Sequence, residues 1–238
     1  MAYTKSAARQ QFEYTLESLL EQVRYVSKMK GLRSDIIQSV YNNAIFRTSA
    51  ALEDYIKEVL EDWIDMLSRN NGLLSHLPDE TVCFTLFKNQ EKNFINYISH
   101  GSESKLVSEI GNNKEFLGRF YISSSPVEKL ITSKQLIMDK KYPSERNIKQ
   151  LFSRFGFKNI FKDMEKKGKK DYTMLLQSFS DTRTELAHSS TVISLTKVTT
   201  LDKINNVTEL VKVLDRILFS YICSTSGRAY WKTEWLSI

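Results

Sequence analysis

Glycine and proline are scarce in this sequence, which has 8 glycines and 3 prolines in 238 residues. Because these residue types mark turns, their scarcity argues against a turn-rich all-β protein and favours long, uninterrupted helices. Hydrophobic residues make up 41% of the chain and charged residues 26%, so there is enough apolar material for a core. With no internal repeat or linker, the sequence predicts an all-α protein with one domain over residues 1–238.

Cysteine is also rare, since Cys83 and Cys223 are the only two and form no CxxC motif. This excludes a disulfide framework and a cysteine-rich zinc site. Both lie beside apolar residues, so we expect both to be buried and inert. The histidines His76, His100 and His188 are far apart and belong to no HExxH motif, so no metal site is expected.

Long apolar runs are missing as well. Nowhere do 18 apolar residues follow one another, so no membrane-spanning helix is expected. The opening residues Met-Ala-Tyr-Thr-Lys-Ser lack the apolar core of a secretory signal. These observations predict a soluble, cytoplasmic protein.

Three common motifs are absent, namely GxGxxG, GxxxxGK and GxSxG. Their absence excludes a dinucleotide-binding turn, a P-loop and the nucleophile elbow of serine hydrolases. No cofactor is therefore expected.

What the sequence does contain is apolar residues at three- and four-residue steps, the spacing of amphipathic helices. These segments predict helices over residues 8–28, 35–68, 81–99, 102–120, from 125 onward, 143–155, 171–188 and 200–224. The start of the third could alternatively be a short strand. A break is expected in the fourth around Gly111-Asn112-Asn113.

Several boundaries are also predicted. Ser34 is expected to cap the second helix, and Gly156 to end the helix that Pro143-Ser144 opens. Ser125-Pro126-Val127-Glu128 reads as a capping box with proline at the first helical position. Residues 166–170 are expected to form a solvated turn and residues 192–198 an extended segment. The tail containing Trp231 and Trp235 is expected to pack on the bundle or on a second subunit.

Charge is unevenly distributed along the chain. The net charge is +6, yet residues 131–170 contain twelve Lys or Arg against four Asp or Glu, so the whole positive excess lies in this block. Such asymmetry indicates an anionic partner. We interpret the block as a basic helical insertion, and its candidate RNA-binding residues are Lys140, Lys141, Arg146, Lys149, Arg154 and Lys158.

Aromatic residues are interleaved with these cations, namely Tyr142, Phe152, Phe155, Phe157 and Phe161. Cations along a phosphate backbone and rings available for stacking would suit single-stranded RNA. The alternative, which we favour for the aromatic residues, is that the rings belong to the core.

The most informative residues are Arg183 and His188, separated by four residues near the end of the predicted helix 171–188. On an unbroken helix this five-residue step separates the side chains by about 140° and about 7.5 Å of rise. They would converge if the helix frayed at His188 or if a second copy met the first across a dyad. The alternative is a helix-terminal histidine stabilised by the macrodipole beside an ordinary surface arginine.

Arg183, the polar Thr184 and then His188 resemble the signature of the HEPN superfamily (higher eukaryotes and prokaryotes nucleotide-binding), which lies late in a helical bundle. Residues 47–65 resemble the long early helix of the large bacterial HEPN nucleases of the RiboL-PSP group. The residues after His188 are also similar, although asparagine is more usual than Thr184. The resemblance implies an up-and-down helical bundle with additional helices that dimerises through the bundle.

The resemblance also implies a metal-independent endoribonuclease with Arg183 and His188 as catalytic residues and Thr184 as a supporting polar residue. Histidine, which ordinarily titrates near pH 6.5, can move the proton of the 2′-OH or of the leaving 5′-oxygen. Arginine can stabilise charge on the phosphate oxygens. Since one motif supplies one histidine for two roles, a homodimer with a composite site is implied. The products would be a 2′,3′-cyclic phosphate and a 5′-OH, and DNA would not be cut.

Three alternatives stay open at this point. One is a catalytically inactive HEPN module that binds nucleotide or a partner protein. Another is the toxin of a toxin–antitoxin or anti-phage defence system, with a possible antitoxin or defence-system partner. Ser190 stands where some HEPN toxins carry a tyrosine that is modified by nucleotide, so that control is not expected. The last is a basic helical DNA-binding protein.

Overall fold

The computed structural model describes residues 2–138, 143–188 and 194–234. In these ranges the regular structure is helical, and the only β-type pairing is an isolated bridge between Leu73 and Pro126. The all-α prediction is confirmed. The α-helices are α1 (Ala7–Val26), α2 (Ser34–Arg69), α3 (Asp79–His100), α4 (Glu103–Asn112), α5 (Lys114–Gly118), α6 (Ser133–Ile137), α7 (Glu145–Ser153), α8 (Ile160–Gly168), α9 (Tyr172–His188) and α10 (Lys197–Thr225).

The centre of the bundle is formed by α1, α2 and α10, which pack against one another. Helix α2 is 36 residues long, and its apolar stripe includes Tyr55 and Trp63, which are almost completely buried. Ser6 begins α1 by accepting a hydrogen bond from the Arg9 backbone N–H. Helices α8 and α9 follow each other along the chain and both pack on α10.

The segment from α3 to α5 is peripheral. Helix α4 has no buried residue and packs chiefly on α3. Apolar side chains stay exposed there, including Phe94, Ile98 and Val107. These helices are additions to the bundle, and the break predicted at Gly111-Asn112-Asn113 is confirmed, because α4 ends at Asn112.

Two predictions about the N-terminal half of the chain are wrong. Ser34 does not cap α2, because Arg33 occupies the N-cap position without a side-chain hydrogen bond. Asp35 lies in the first turn instead, where a carboxylate interacts favourably with the helix dipole, and it pairs with Arg33. The alternative of a strand at the start of α3 is also wrong, since Thr81 and Thr85 share one buried face at helical spacing.

Residues 125–128 do not start an α-helix as predicted. The chain makes only a 3-10 turn at Val127–Lys129, without a side-chain cap. Its backbone is tied to the loop after α2: Val127 N–H donates to the Gly72 carbonyl at 2.9 Å, and Ser125 accepts from Leu74 N–H at 2.9 Å. Long-range backbone pairing has overridden the local capping signal.

Residues 166–170 are not entirely a turn. Helix α8 continues to Gly168, because Ile160, Phe161 and Met164 give it a buried face. The chain reverses at Lys169, in the left-handed region with φ +56.

The predicted stop at Gly156 is confirmed, since α7 ends at Ser153 and Gly156 has φ +83. A Cβ there would lie 2.4 Å from the Tyr221 hydroxyl, so only glycine fits.

The two cysteines differ from the expectation of burial. Cys83 is exposed, because it lies on the side of α3 opposite the buried Thr81 and Thr85, and Cys223 is only half-buried.

The C-terminal tail packs on the bundle as one of the two predicted alternatives. Trp231 is buried, its indole N–H donates to the Thr4 carbonyl at 3.1 Å, and its ring meets Phe219 edge-on. Trp235 lies outside the described residues, as do 189–193. Residues 194–196 have no regular secondary structure. The extended segment was predicted over residues 192–198, but residues 197 and 198 are helical because α10 begins at Lys197.

Candidate active site

Helix α9 positions the arginine–histidine motif. Tyr172, Leu176 and Phe179 recur at steps of four and three residues and are buried, which fixes one side of the helix against the bundle. The helix continues without interruption to His188. The helix predicted over residues 171–188 is therefore confirmed.

Arg183 lies half-buried on the side of α9 that faces α2. The central carbon of its guanidinium is 5.9 Å from the centroid of the Phe46 ring. Phe46 is a half-buried residue of α2, so the arginine contacts an aromatic ring on the neighbouring helix. This contact limits the rotamers of the Arg183 side chain, compared with an arginine that is surrounded by solvent.

His188 and Thr184 lie on the outer side of α9, one turn apart, and both are exposed. Since α9 does not fray before His188, the five-residue step still separates Arg183 from His188 by about 140° around the helix. One α9 helix therefore directs the arginine toward α2 and the histidine toward solvent. Its geometry by itself does not bring the two predicted catalytic side chains together.

Helix α10 carries a lysine beside the motif. Lys203 donates to the Ser178 carbonyl and hydroxyl, both at 2.7 Å. Burial lowers the pKa of the Lys203 ammonium, and the nearby carboxylates of Asp181 and Glu185 oppose that shift. The motif thus lies on a surface where two acids and one lysine are close.

The chain just after the motif is attached to the same helix, α2. Gln38 donates through its side-chain amide to the Leu195 carbonyl and accepts from the Leu195 N–H, both at 2.8 Å. Gln38, Asn42 and Phe46 follow one another at four-residue intervals and so share a face of α2. The segments before and after His188 are therefore both anchored to this face.

Asn42 was missed by sequence reasoning, as was Gln38. Within the described part of the chain, the Asn42 Oδ1 is buried and accepts no hydrogen bond. The sequence carried no signal for either residue, because amides in a long amphipathic helix look like solvated surface.

Two of the predicted RNA-binding cations, Lys149 and Arg154, contact other groups of the protein. Lys149 pairs with Glu145 and lies 5.8 Å from the Phe161 ring. Arg154 donates to the carbonyls of Leu136 and Met138, at 2.5 and 3.1 Å, so its guanidinium joins two chain segments. Such contacts give both residues a structural task.

Arg146 and Lys158 are exposed, whereas Lys140 and Lys141 lie outside the described residues. The rings in this block are buried, as we favoured, namely Phe152, Phe155, Phe157 and Phe161, while Tyr142 lies outside the described residues. Base stacking on these four rings is therefore excluded.

Residues 2–138, 143–188 and 194–234 carry neither a cluster of metal-binding side chains nor a membrane-spanning helix. No group of three or more His, Cys, Asp or Glu side chains there could hold a metal ion. None of the helices described has a stretch that is both long and apolar enough to cross a bilayer.

Comparison with known proteins identifies one matching family. No curated protein and no solved structure matches the chain. The model of the RiboL-PSP-HEPN family matches residues 12–220, a range that runs from α1 into α10 and includes Arg183 and His188. The HEPN resemblance of the motif is thereby confirmed at the level of the family, and a ribonuclease-type function is suggested. The chain belongs to the RiboL-PSP-HEPN family.

Proposed function

We propose that this protein is a metal-independent endoribonuclease in which Arg183 and His188 act on the scissile phosphate. The observation that carries the proposal is the placement of the motif inside the family match. His188 ends α9 in solvent, where RNA can reach it, and the guanidinium of Arg183 is held against the Phe46 ring.

The reaction uses the nucleophile that RNA itself carries. A base accepts the proton of the 2′-OH, the O2′ attacks phosphorus, and the bond from phosphorus to O5′ breaks as an acid protonates the leaving oxygen. Imidazole can perform either proton transfer, and Arg183 stabilises the negative charge on the non-bridging oxygens. The products are a 2′,3′-cyclic phosphate and a 5′-OH.

A homodimer supplies the second histidine. Because Arg183 and His188 diverge along α9, we propose that two α9 helices meet across a dyad and form one composite site. The outer side of α9 that would face the dyad carries Asp181, Thr184 and His188, all accessible on one chain. Thr184 would support the phosphate or the histidine through its hydroxyl.

The experiment that tests this proposal compares labelled RNA and DNA of one sequence, each incubated with the protein in excess EDTA. We expect cleavage of RNA alone, cyclic-phosphate ends on the products, and no cleavage by His188→Ala. Cleavage that EDTA abolishes, or that persists in His188→Ala, would contradict the proposal.

We also propose a cytoplasmic role in toxin–antitoxin or anti-phage defence, with RNA as substrate and an antitoxin as a possible partner. A cytotoxic ribonuclease would arrest growth on expression, and Arg183→Ala would abolish the arrest. The competing proposal is a catalytically inactive module that binds nucleotide or a partner protein, and Thr184 in place of asparagine favours it. Folded, dimeric protein without RNA cleavage would decide for this second proposal.

A further inference from the structure

An open groove of about 680 Å³ lies between α8 and the C-terminal part of α10, away from the motif. Lys158, Lys166 and Lys167 line it from the side of α8, and Arg216 from α10. Asp163 is the one carboxylate among its lining residues. The groove is therefore strongly cationic.

The four cations are available to a ligand. All four are exposed, and no ion pair in the described part of the chain involves them. Arg216 is held in place by an aromatic ring, since its guanidinium carbon lies 5.5 Å from the Tyr3 centroid. A cation–π contact of this kind leaves the guanidinium N–H groups able to bind phosphate.

Stabilisation of helices explains only part of this charge. Lys166 and Lys167 lie in the last turn of α8, where cations offset the helix dipole. Lys158, however, precedes the first residue of α8, where a positive charge is unfavourable to the same dipole. Arg216 lies inside α10, far from either end. These two residues point to a ligand.

The groove and the motif lie at opposite ends of α10. Lys203 contacts Ser178, and Glu209 is close enough to Tyr172 to raise its pKa together with burial, so α9 and α10 run antiparallel. His188 is therefore level with the start of α10. At about 1.5 Å per residue, Arg216 lies roughly 30 to 40 Å further along the helix axis.

We propose that this groove is a distal subsite for the sugar–phosphate backbone of single-stranded RNA whose scissile bond lies at the motif. The inference rests on the proposed function, because it assigns the substrate of the same enzyme. Cationic grooves follow single strands over roughly 4 to 16 nucleotides, a length compatible with the separation of groove and motif. Affinity for RNA should then rise with strand length until the groove is reached.

The test measures binding without cleavage. The probe is fluorescent 2′-O-methyl RNA, whose blocked 2′ oxygen cannot attack, in lengths of about 4 and about 20 nucleotides. Fluorescence anisotropy with the full chain compares the wild type with Lys166→Glu/Lys167→Glu and with Arg216→Ala. The matched control is Lys105→Glu/Lys114→Glu, which reverses two exposed lysines on α4 and α5.

For the longer probe we expect the double groove variant to lose at least about tenfold in affinity. The slope of the logarithm of the binding constant against the logarithm of the salt concentration should become shallower by about 1.4, because two phosphate contacts are lost. The control should stay within about twofold. The gain in affinity from the short to the long probe should shrink in both groove variants. Lys158→Glu, outside α8, repeats the test if circular dichroism shows that the double variant is unfolded.

Other outcomes would overturn the inference. Unchanged binding by the groove variants, or an equal loss in the control, would remove the subsite. Poly-glutamate that displaces the RNA at equal charge concentration would assign the groove to an acidic protein instead. Weaker binding by the groove variants, combined with no RNA cleavage by the wild type, would reject the nuclease and keep the groove.

Discussion

Two polar sites in this protein differ in how far their side chains are buried. Asp215 of α10 is fully buried, and its carboxylate accepts from Tyr3 hydroxyl at 2.5 Å, Tyr55 hydroxyl at 3.3 Å, and both the hydroxyl and backbone N–H of Ser6. The His188 side chain, at the end of α9, is exposed instead.

The difference separates residues that hold the fold from residues that can act on a ligand. The Asp215 cluster joins the N-terminal segment to α2 and α10, and burial raises the pKa of Asp215 although hydrogen bonds from Ser6 and Tyr3 oppose the shift. A buried carboxylate with four donors has no capacity for a substrate. The exposed imidazole of His188, at the end of the well-packed helix α9, is accessible to a substrate.

The largest effect is expected at His188. Replacing it with alanine should lower the rate of RNA cleavage by about 10³-fold, since general acid–base catalysis contributes about 10² to 10⁴. The melting temperature should not change, because the side chain is exposed. His100→Ala, at the exposed end of α3, is the matched control and should retain the wild-type rate. Retained cleavage by His188→Ala, or a fall in melting temperature large enough to explain the lost activity, would contradict a catalytic role for His188.

The opposite pattern is expected at Asp215. Asp215→Ala should lower the free energy of unfolding by about 3 to 5 kcal/mol, because buried donors lose their acceptor. Urea denaturation measures this change, with Asp202→Ala, an exposed aspartate of the same helix, as the control, expected within about 0.5 kcal/mol. A stable Asp215→Ala protein would mean that the network contributes little to the fold.

Phe46 should affect activity more than stability. Phe46→Leu keeps an apolar side chain at that position and removes the ring beside Arg183. Losing a cation–π contact of about 1 kcal/mol in the transition state should lower the cleavage rate by about fivefold. Single-turnover rates on one RNA give the result, and the Phe46→Tyr variant, which keeps a ring, should restore most of the rate. An unchanged rate in Phe46→Leu would show that the ring does not position the arginine.

The smallest effect concerns the acidic side of α2. Burial, and then Asp54, Asp62 and Glu61, raise the pKa of Glu58. A carboxyl whose pKa is raised on folding contributes stability at low pH that is lost as pH rises through the folded value. Glu58→Gln should therefore stabilise at pH 7 by up to about 0.5 kcal/mol, given solvent screening, and the gain should vanish near pH 4. Denaturation at both pH values measures it, and a gain that persists at pH 4 would contradict this origin.

Sequence patterns predicted the long helices well because their buried stripes are local. The bounds of α1, α2, α9 and α10 differ from prediction by three residues or fewer, and the Arg183–His188 spacing was readable directly. Prediction failed where distant segments decide. Backbone pairing with residues 72–74 prevents a helix at Ser125, and the surroundings of Cys83 depend on how α3 packs.

The candidate site was predicted only in part for the same reason. Spacing along the chain revealed its two principal residues, but not that Phe46 lies beside one of them, nor that Gln38 anchors the chain after the other. Both contacts join residues more than 130 positions apart in the sequence. Arg154 shows the converse, since a cation in a basic block proved to bind carbonyls of its own chain.

We propose that two chains together make one active site, and a subunit-mixing experiment distinguishes this composite site from two independent sites. Equal amounts of wild type and His188→Ala, carrying different tags, are unfolded in urea and refolded together, with wild type refolded alone at the same total protein concentration as the reference. If each site needs a histidine from both chains, random pairing leaves about one quarter of the reference activity. About one half would mean that each chain works alone and would contradict the composite site.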